Sequence, residues 1–331
     1  MTDQLGKPVL RKEDLALLSG RGRYADDLPV PVGTLHAHVI RSPHAHAEIV
    51  RIDCEKAIAH DGVWAIITGE DVRKLSDPFL AAVKAPVQQW TLAVERVRYV
   101  GESVAVVVAE SRYIAEDAAE LVTIDYAPLE AVLDPVRACK SSAPLLHPQA
   151  HTNEISVREF RYGDPAGAFA RADRRIAMTV SFPRLSFTPI ECYVVVAQHN
   201  AAENSYDVLA NFQGPFSMHP VMARALRVPG PKLRLRIPPD SGGSFGIKLS
   251  IFPYIVLIAL AAKITGRPVK WTEDRVEHLV AASSGPNRVT EIEAAVGKDG
   301  RILGLKLDQL EDYGAFCARR CRARSTACMV R

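Results

Sequence analysis

Short runs rich in Val, Ile and aromatic residues fall at 35–41, 49–53, 63–68 and 103–109, and each predicts a strand. The period then changes. After Ser111, the residues Ile114, Ala118 and Leu121 recur at helical spacing with acids between them. That pattern predicts a helix N-capped by Ser111 and running to Leu121. Positions 122–126 return to strand. The stretch 128–148 carries four Pro and little periodicity, so it predicts a crossing between two units. Beyond it, strands are expected at 155–160, 177–182, 193–198 and 233–237, with a short helix at 220–226. Residues 289–296 and 302–309 flank Asp299-Gly300, a hairpin signature. The longest apolar run, 251–262, has twelve residues with Pro253 near its start. Crossing a bilayer takes about 18–20 residues, so a buried core helix is expected there.

Composition narrows the class without naming a function. The chain has 331 residues, 48% hydrophobic and 24% charged. These values exclude disordered, collagen-like and disulfide-scaffold proteins, and the length suggests about two domains. Lys and Arg number 41 against 38 Asp and Glu, a net charge of +3. Five of the Arg, and three of the six Cys, lie in 317–331, where there is no acid. The remainder holds 36 basic against 38 acidic residues, so the body gives no argument for nucleic-acid binding. The first twenty residues scatter charge and lack an apolar h-region, which reads as no secretory signal. Cys54, Cys139 and Cys192 fit neither a metal motif nor a disulfide framework and are expected as small buried hydrophobes. A cytoplasmic location is the expectation.

Three features carry candidate chemistry. His36 and His38, and His44 and His46, form two H-x-H pairs, and on a strand each pair shares a face. No third ligand is placed by spacing, so edge or interface histidines are the simpler reading. The second feature is Ser241-Gly242-Gly243-Ser244-Phe245-Gly246, between a predicted strand and the apolar helix. It fits a dinucleotide fingerprint poorly, and Lys248 is out of frame for a phosphate-binding P-loop. It also matches G-x-S-x-G, the nucleophile elbow of a serine hydrolase with Ser244 as nucleophile. That reading needs an acid and a His downstream, and only His278 remains, crowded by Glu273, Asp274 and Glu277. The remaining alternatives are a turn needed only for packing, and a glycine turn that lets backbone N–H groups approach an anionic cofactor. The third feature is Asn211-Phe212-Gln213-Gly214-Pro215, a loop amide able to donate to a cofactor oxygen.

Taken in order, these segments resemble the large, molybdenum-binding subunit of the xanthine dehydrogenase, aldehyde oxidase and carbon monoxide dehydrogenase family. The run LLSGRGRYADD resembles the family's opening arm. RSPHAHAEI and RVRYVGESVAVVVAESRYIAEDAAELVTIDYAPLEAV resemble its α/β hammerhead domain. PIECYVVVAQ, ANFQGP, PPDSGGSFGIK, GRPVKWTEDRVEH and KDGRI…DYGAF resemble the first half of its molybdopterin domain. The resemblance implies an α+β fold. Its parts are an arm and hammerhead over 1–136, the first part of a molybdopterin-binding domain over 137–316, and an atypical tail over 317–331. It further implies a molybdenum–molybdopterin cofactor, plain or as its cytosine dinucleotide, with Gln213 donating its amide to an oxo ligand of the metal. Gly242, Gly243, Phe245 and Gly246 would lie against that centre, and no side chain of this chain would ligate a metal. Leu249 stands where xanthine-type members carry a purine-contacting Glu, which argues mildly against a purine. Iron–sulfur and FAD centres are implied on partner chains, since no Cys cluster here would hold one.

The family's polypeptide continues far beyond Phe316, and the glutamate base lies in that later part, so no catalytic residue is expected in this chain. The resemblance therefore points to the front portion of a molybdenum hydroxylase, acting on an aldehyde, an N-heterocycle or a similar carbon. A second chain would complete the site; the alternative is a truncated, non-catalytic product, and the abrupt CARRCRARSTACMVR ending would fit out-of-frame reading of a GC-rich gene.

Overall fold

The structure is a computed structural model that describes residues 5–80, 87–285, 287–316 and, as backbone, 323–327. Its centre is a seven-stranded sheet with the order Leu233–Arg236, Ser205–Ala210, Val194–Asn200, Val269–Thr272, Leu35–Arg41, Ser103–Ala109, Val63–Thr68. Three of these strands come from the first 136 residues and four from later in the chain. They join where Leu35–Arg41 pairs in parallel with Val269–Thr272, Leu35 opposite Val269. The proline-rich stretch 128–148 divides the sequence, but one sheet runs through both parts.

The reasons for these strands are local. All seven residues of Ser103–Ala109 are buried, so a continuous Val/Ala run suits a strand covered on both faces. Helix Arg112–Glu120 packs over it through buried Ala115 and Ala118, and Ser111 caps the helix by accepting the Ile114 N–H at 3.2 Å. The expected core helix is Phe252–Thr265, and residues 254–262 are all buried beneath the sheet. With the 3₁₀ turn Ile247–Ile251 ahead of it, this makes nineteen residues that are long and apolar enough to cross a membrane; they are mostly buried. An all-apolar surface is what a helix covered on every side requires.

Besides a two-stranded pair, Phe79–Leu80 with Gln88–Gln89, two smaller sheets flank this centre. Arg96–Val97, Ala47–Asp53 and Thr123–Pro128 form one. The other has five strands in the order Arg174–Phe182, Asn287–Val296, Ile302–Asp312, Ala323–Ala327, Arg158–Tyr162. The Asp-Gly hairpin is present, with Gly300 at φ 83°. Apart from the strand Ala323–Ala327, the Arg/Cys-rich tail lies outside the described residues.

Several sequence expectations need correction. The helix expected at 220–226 is Pro215–Ala225, because Gly214 at φ 69° turns the chain and Pro215 supplies a preset φ at the first helical position. Pro220 sits inside it. The cysteines are not buried: Cys139 is exposed, and Cys54 and Cys192 are half-buried. The strand Ser205–Ala210 and the helices Gly69–Leu75 and Arg275–Ala281 had no counterpart in the sequence reading. Both helices carry capping boxes, Thr68 with Asp71 and Asp274 with Glu277, which are legible motifs.

Candidate functional site

Gln213 lies just beyond the end of strand Ser205–Ala210, after two anchored residues. Asn211 is buried, donates Nδ2–H to the Cys192 carbonyl at 2.7 Å and accepts the Val194 N–H at 3.0 Å. Phe212 is buried as well. The left-handed Gly214 then reverses the chain into helix Pro215–Ala225. The Gln213 side chain is left exposed at the tip of a fixed bend.

The glycine turn follows the neighbouring strand Leu233–Arg236, which runs parallel to Ser205–Ala210. Gly243, Phe245 and Gly246 have φ values of 96°, 52° and 91°. Phe245 is the left-handed non-glycine residue here, and 72% of its surface is exposed. Gly242 is required by close approach. A Cβ there would fall 2.4 Å from the Glu191 Cβ. Its N–H donates to the Glu191 carboxylate at 2.9 Å, and its carbonyl accepts the Glu191 N–H at 3.2 Å. The turn does not open directly onto the α-helix, as its sequence suggested. A 3₁₀ turn intervenes, and the N–H groups of Gly246 and Lys248 donate to Ser244 Oγ at 3.2 and 3.3 Å. Gly246 therefore offers no free amide.

Charge beneath the turn is paired. Lys248, with 2% of its side chain exposed, forms an ion pair with Glu191. Glu191 also accepts the Ala25 N–H at 3.3 Å, and Asp240 accepts the Arg23 N–H at 2.7 Å. The N-terminal arm thus clamps both ends of the turn. Sequence reading missed Glu191 and Lys248; the charges in PIEC and FGIK, each inside an apolar segment, were the available signal.

The two loops meet. Ser244 Oγ–H donates to Gln213 Oε1, and the Gln213 backbone N–H donates to the Lys248 carbonyl at 3.3 Å. The N–H groups of Gly243, Ser244 and Phe245 have no acceptor among the described residues. Together with the Gln213 amide they are uncharged donors on two adjoining loops, suited to an electron-rich oxygen or an anion.

The other candidates do not assemble. Ser244 has no imidazole partner: His278 is fully buried, with Nδ1 2.6 Å from Glu273 Oε2 and Nε2 3.3 Å from the Phe187 carbonyl. The hydrolase arrangement is therefore absent. His44 lies tilted against Tyr126, ring centroids 4.9 Å apart, and His46 Nδ1 faces the Glu130 carbonyl at 2.9 Å. His36 and His38 share a face, where burial lowers both pKa values. Among the described residues the grouping with metal-ligand atoms is Cys192, Glu273 and His278, within 4.8 Å of one another. Burial pushes the Cys192 thiol up, against the thiolate that a metal needs.

A cavity of about 790 Å³ lies elsewhere, lined by Tyr99, Glu102, His147, Tyr193, Tyr254 and Phe316 among others. None of Gln213, Gly242, Gly243, Phe245 and Gly246 lines it. Burial pushes the Glu102 carboxyl up to about 7, against the opposing pull of Arg98 and two backbone N–H groups.

Known proteins place this arrangement in a family. The aldehyde oxidase and xanthine dehydrogenase a/b hammerhead domain matches residues 19–130, and the molybdopterin cofactor-binding domain matches 146–330. The 6-hydroxypseudooxynicotine dehydrogenase complex subunit gamma of Paenarthrobacter nicotinovorans is 38% identical over 94% of this chain. The nicotinate dehydrogenase large molybdopterin subunit of Eubacterium barkeri is 30% identical over 95%. The crystal structure of quinoline 2-oxidoreductase from Pseudomonas putida 86 superposes with a TM-score of 0.85 at 33% identity, covering 98% of this chain and 44% of that one. The chain spans 40% of the first of these relatives and 72% of the second. A hammerhead followed by a molybdopterin-binding domain, with relatives matched along nearly its whole length, shows that the chain belongs to the molybdopterin-binding large subunits of the xanthine dehydrogenase, aldehyde oxidase and carbon monoxide dehydrogenase family.

Proposed function

We propose that this chain is the N-terminal portion of a molybdenum hydroxylase large subunit, which holds one side of a molybdenum–molybdopterin cofactor. The observation that carries this reading is the set of donors formed by the Gln213 amide and the N–H groups of Gly243, Ser244 and Phe245. These donors fit a group rich in oxo and phosphate oxygens, whether plain molybdopterin or its cytosine dinucleotide. The cofactor, when bound, supplies the oxidation that places a water-derived oxygen on an aldehyde, N-heterocycle or similar carbon. This chain's residues bind and orient. Gln213 presents an N–H, the turn amides face the same oxygens, and exposed Phe245 offers an apolar wall beside them.

Hydroxylation releases two protons and two electrons for each oxygen inserted. The electrons would leave through iron–sulfur and FAD centres on partner chains, in keeping with the relative named as a subunit of a dehydrogenase complex. The glutamate base and the far side of the pocket would come from a further polypeptide supplying the C-terminal molybdopterin half. One surface supports that need. Ile176, Met178, Val180 and Phe182 alternate along the edge strand Arg174–Phe182, and all are exposed. By register, Ile292, Ala294, Leu305 and Leu307 continue their face across two further strands. Monomeric proteins seldom expose so continuous an apolar patch. The nicotinate dehydrogenase subunit, 72% covered by this chain, shows that the family includes large subunits much shorter than its other members. We place the complex in the cytoplasm. The competing reading is a truncated fragment that retains no cofactor.

Purifying the chain with the products of its neighbouring genes, and measuring molybdenum, separates the two. Metal at close to one atom per chain is expected. Its absence from every complex would overturn the proposal.

A further inference from the structure

We propose that Ser244 is a positioning residue that sets which way the Gln213 carboxamide faces. This inference rests on the cofactor-binding reading, and it follows from counting donors and acceptors. A serine hydroxyl has one O–H to donate and two lone pairs. Both lone pairs of Ser244 Oγ are occupied, by the Gly246 N–H at 3.2 Å and the Lys248 N–H at 3.3 Å. Its hydrogen is then the only group left for Gln213, and it requires an acceptor there. The carboxamide oxygen must therefore lie against Ser244, and the NH₂ group must point away from the turn. A reversed amide would set N–H against a hydroxyl with no lone pair to spare.

The contact closes a ring. The Gln213 backbone N–H donates to the Lys248 carbonyl, the Lys248 N–H donates to Ser244, and Ser244 donates to the Gln213 side chain. Because Lys248 is buried and paired with Glu191, the ring is tied to the interior while Gln213 stays exposed. A Gln side chain free on a surface samples many rotamers, and fixing it on binding costs conformational entropy. Here that ordering is already made. The exposed donor is the NH₂, which selects a ligand atom that only accepts.

The test uses Ser244→Ala, which deletes the hydroxyl, and Ser244→Thr, which keeps it. In the full chain without cofactor, ¹⁵N-resolved NMR reads the Gln213 side-chain NH₂ directly. Ser244→Ala should move this resonance pair to the position of a free carboxamide and speed its solvent exchange; Ser244→Thr should stay near wild type. In the molybdenum-loaded complex, Ser244→Ala should alter the paramagnetic resonance of the half-reduced metal and lower metal retention about 10- to 100-fold, the usual cost of losing a group that orients a direct contact. Ser244→Thr should restore both. An unchanged Gln213 resonance in Ser244→Ala overturns the contact itself. A shifted resonance with an unaltered metal signal overturns the positioning role. A wild-type complex without molybdenum sinks the cofactor reading instead, and the NMR result then decides the Ser244–Gln213 contact alone.

Discussion

Lys248 and Glu191 form a buried ion pair directly beneath the glycine turn, and the same carboxylate accepts the N–H groups of Gly242 and Ala25. Three segments distant in sequence thus share one anion. Removing one member of a buried pair leaves the other charge without compensation, at a cost of about 3–5 kcal/mol. Glu191→Ala is expected to destabilise the chain by that amount and to release the N-terminal arm. Lys248→Met alone should cost as much, whereas Glu191→Leu with Lys248→Met should recover most of the loss. Urea midpoints of the four proteins check this. Equal losses in the double variant and the single variants would contradict it.

Glu102 gives a pH dependence. Its carboxyl is buried and pushed up to about 7, from an ordinary 4.5. The folded state therefore holds a proton that the unfolded chain has released between those values. Stability from this group is fully present below about 4.5, falls as pH rises through about 7, and is flat above that. A shift of this size corresponds to roughly 3 kcal/mol. Glu102→Gln should flatten the decline between pH 5 and 7 and unfold at higher urea than wild type at pH 8. Parallel pH curves for the two proteins would show that Glu102 does not carry the effect.

Much of the fold was legible because its elements obey single periods. The buried run at 103–109, the Ser111-capped helix and the Asp-Gly hairpin each declare themselves within a dozen residues. The pairing of Leu35 with Val269 was not legible, since it joins residues far apart and depends on no local pattern. The site divides in the same way. Gln213 and the glycine turn stood out through their loop chemistry, and motif order tied them to a family. That the hydroxyl of Ser244 would be engaged by Gln213, rather than by an imidazole, depends on how two loops approach each other. Nor was the close approach of Gly242 to Glu191 legible, since it joins residues 51 apart along the chain.

Two glycines of the turn should therefore fail for different reasons. Gly242→Ala places a methyl group 2.4 Å from the Glu191 Cβ, so the turn must move away from the Glu191 segment. Overpacking of this kind costs about 1–3 kcal/mol. Gly246→Ala meets open space, but its φ of 91° is one that a side chain disfavours, at a cost of about 1–2 kcal/mol. Gly246→Asn should then be milder than Gly246→Ala, because Asn tolerates left-handed backbone, whereas Gly242→Asn should be worse than Gly242→Ala. Thermal melts of the four variants give the ranking. The same order at both positions would contradict the assignment.

The exposed face of the five-stranded sheet yields the last expectation. Met178 is 58% exposed and sits between Ile176 and Val180 on the edge strand, opposite Ile292 in register. If the C-terminal molybdopterin half packs there, Met178 becomes buried only in the complex. Met178→Lys should then leave the melting temperature of the isolated chain nearly unchanged, since exposed substitutions usually shift stability by less than about 0.5 kcal/mol. The same charge buried without a partner costs several kcal/mol, so capture of the second chain should fall by a factor of at least about 100. A charge at Thr179, which points to the opposite face of the strand, is the control and should have little effect on capture. Pull-down titrations with the separately expressed second chain read the difference. Equal capture by Met178→Lys and Thr179→Lys would move the interface away from this face.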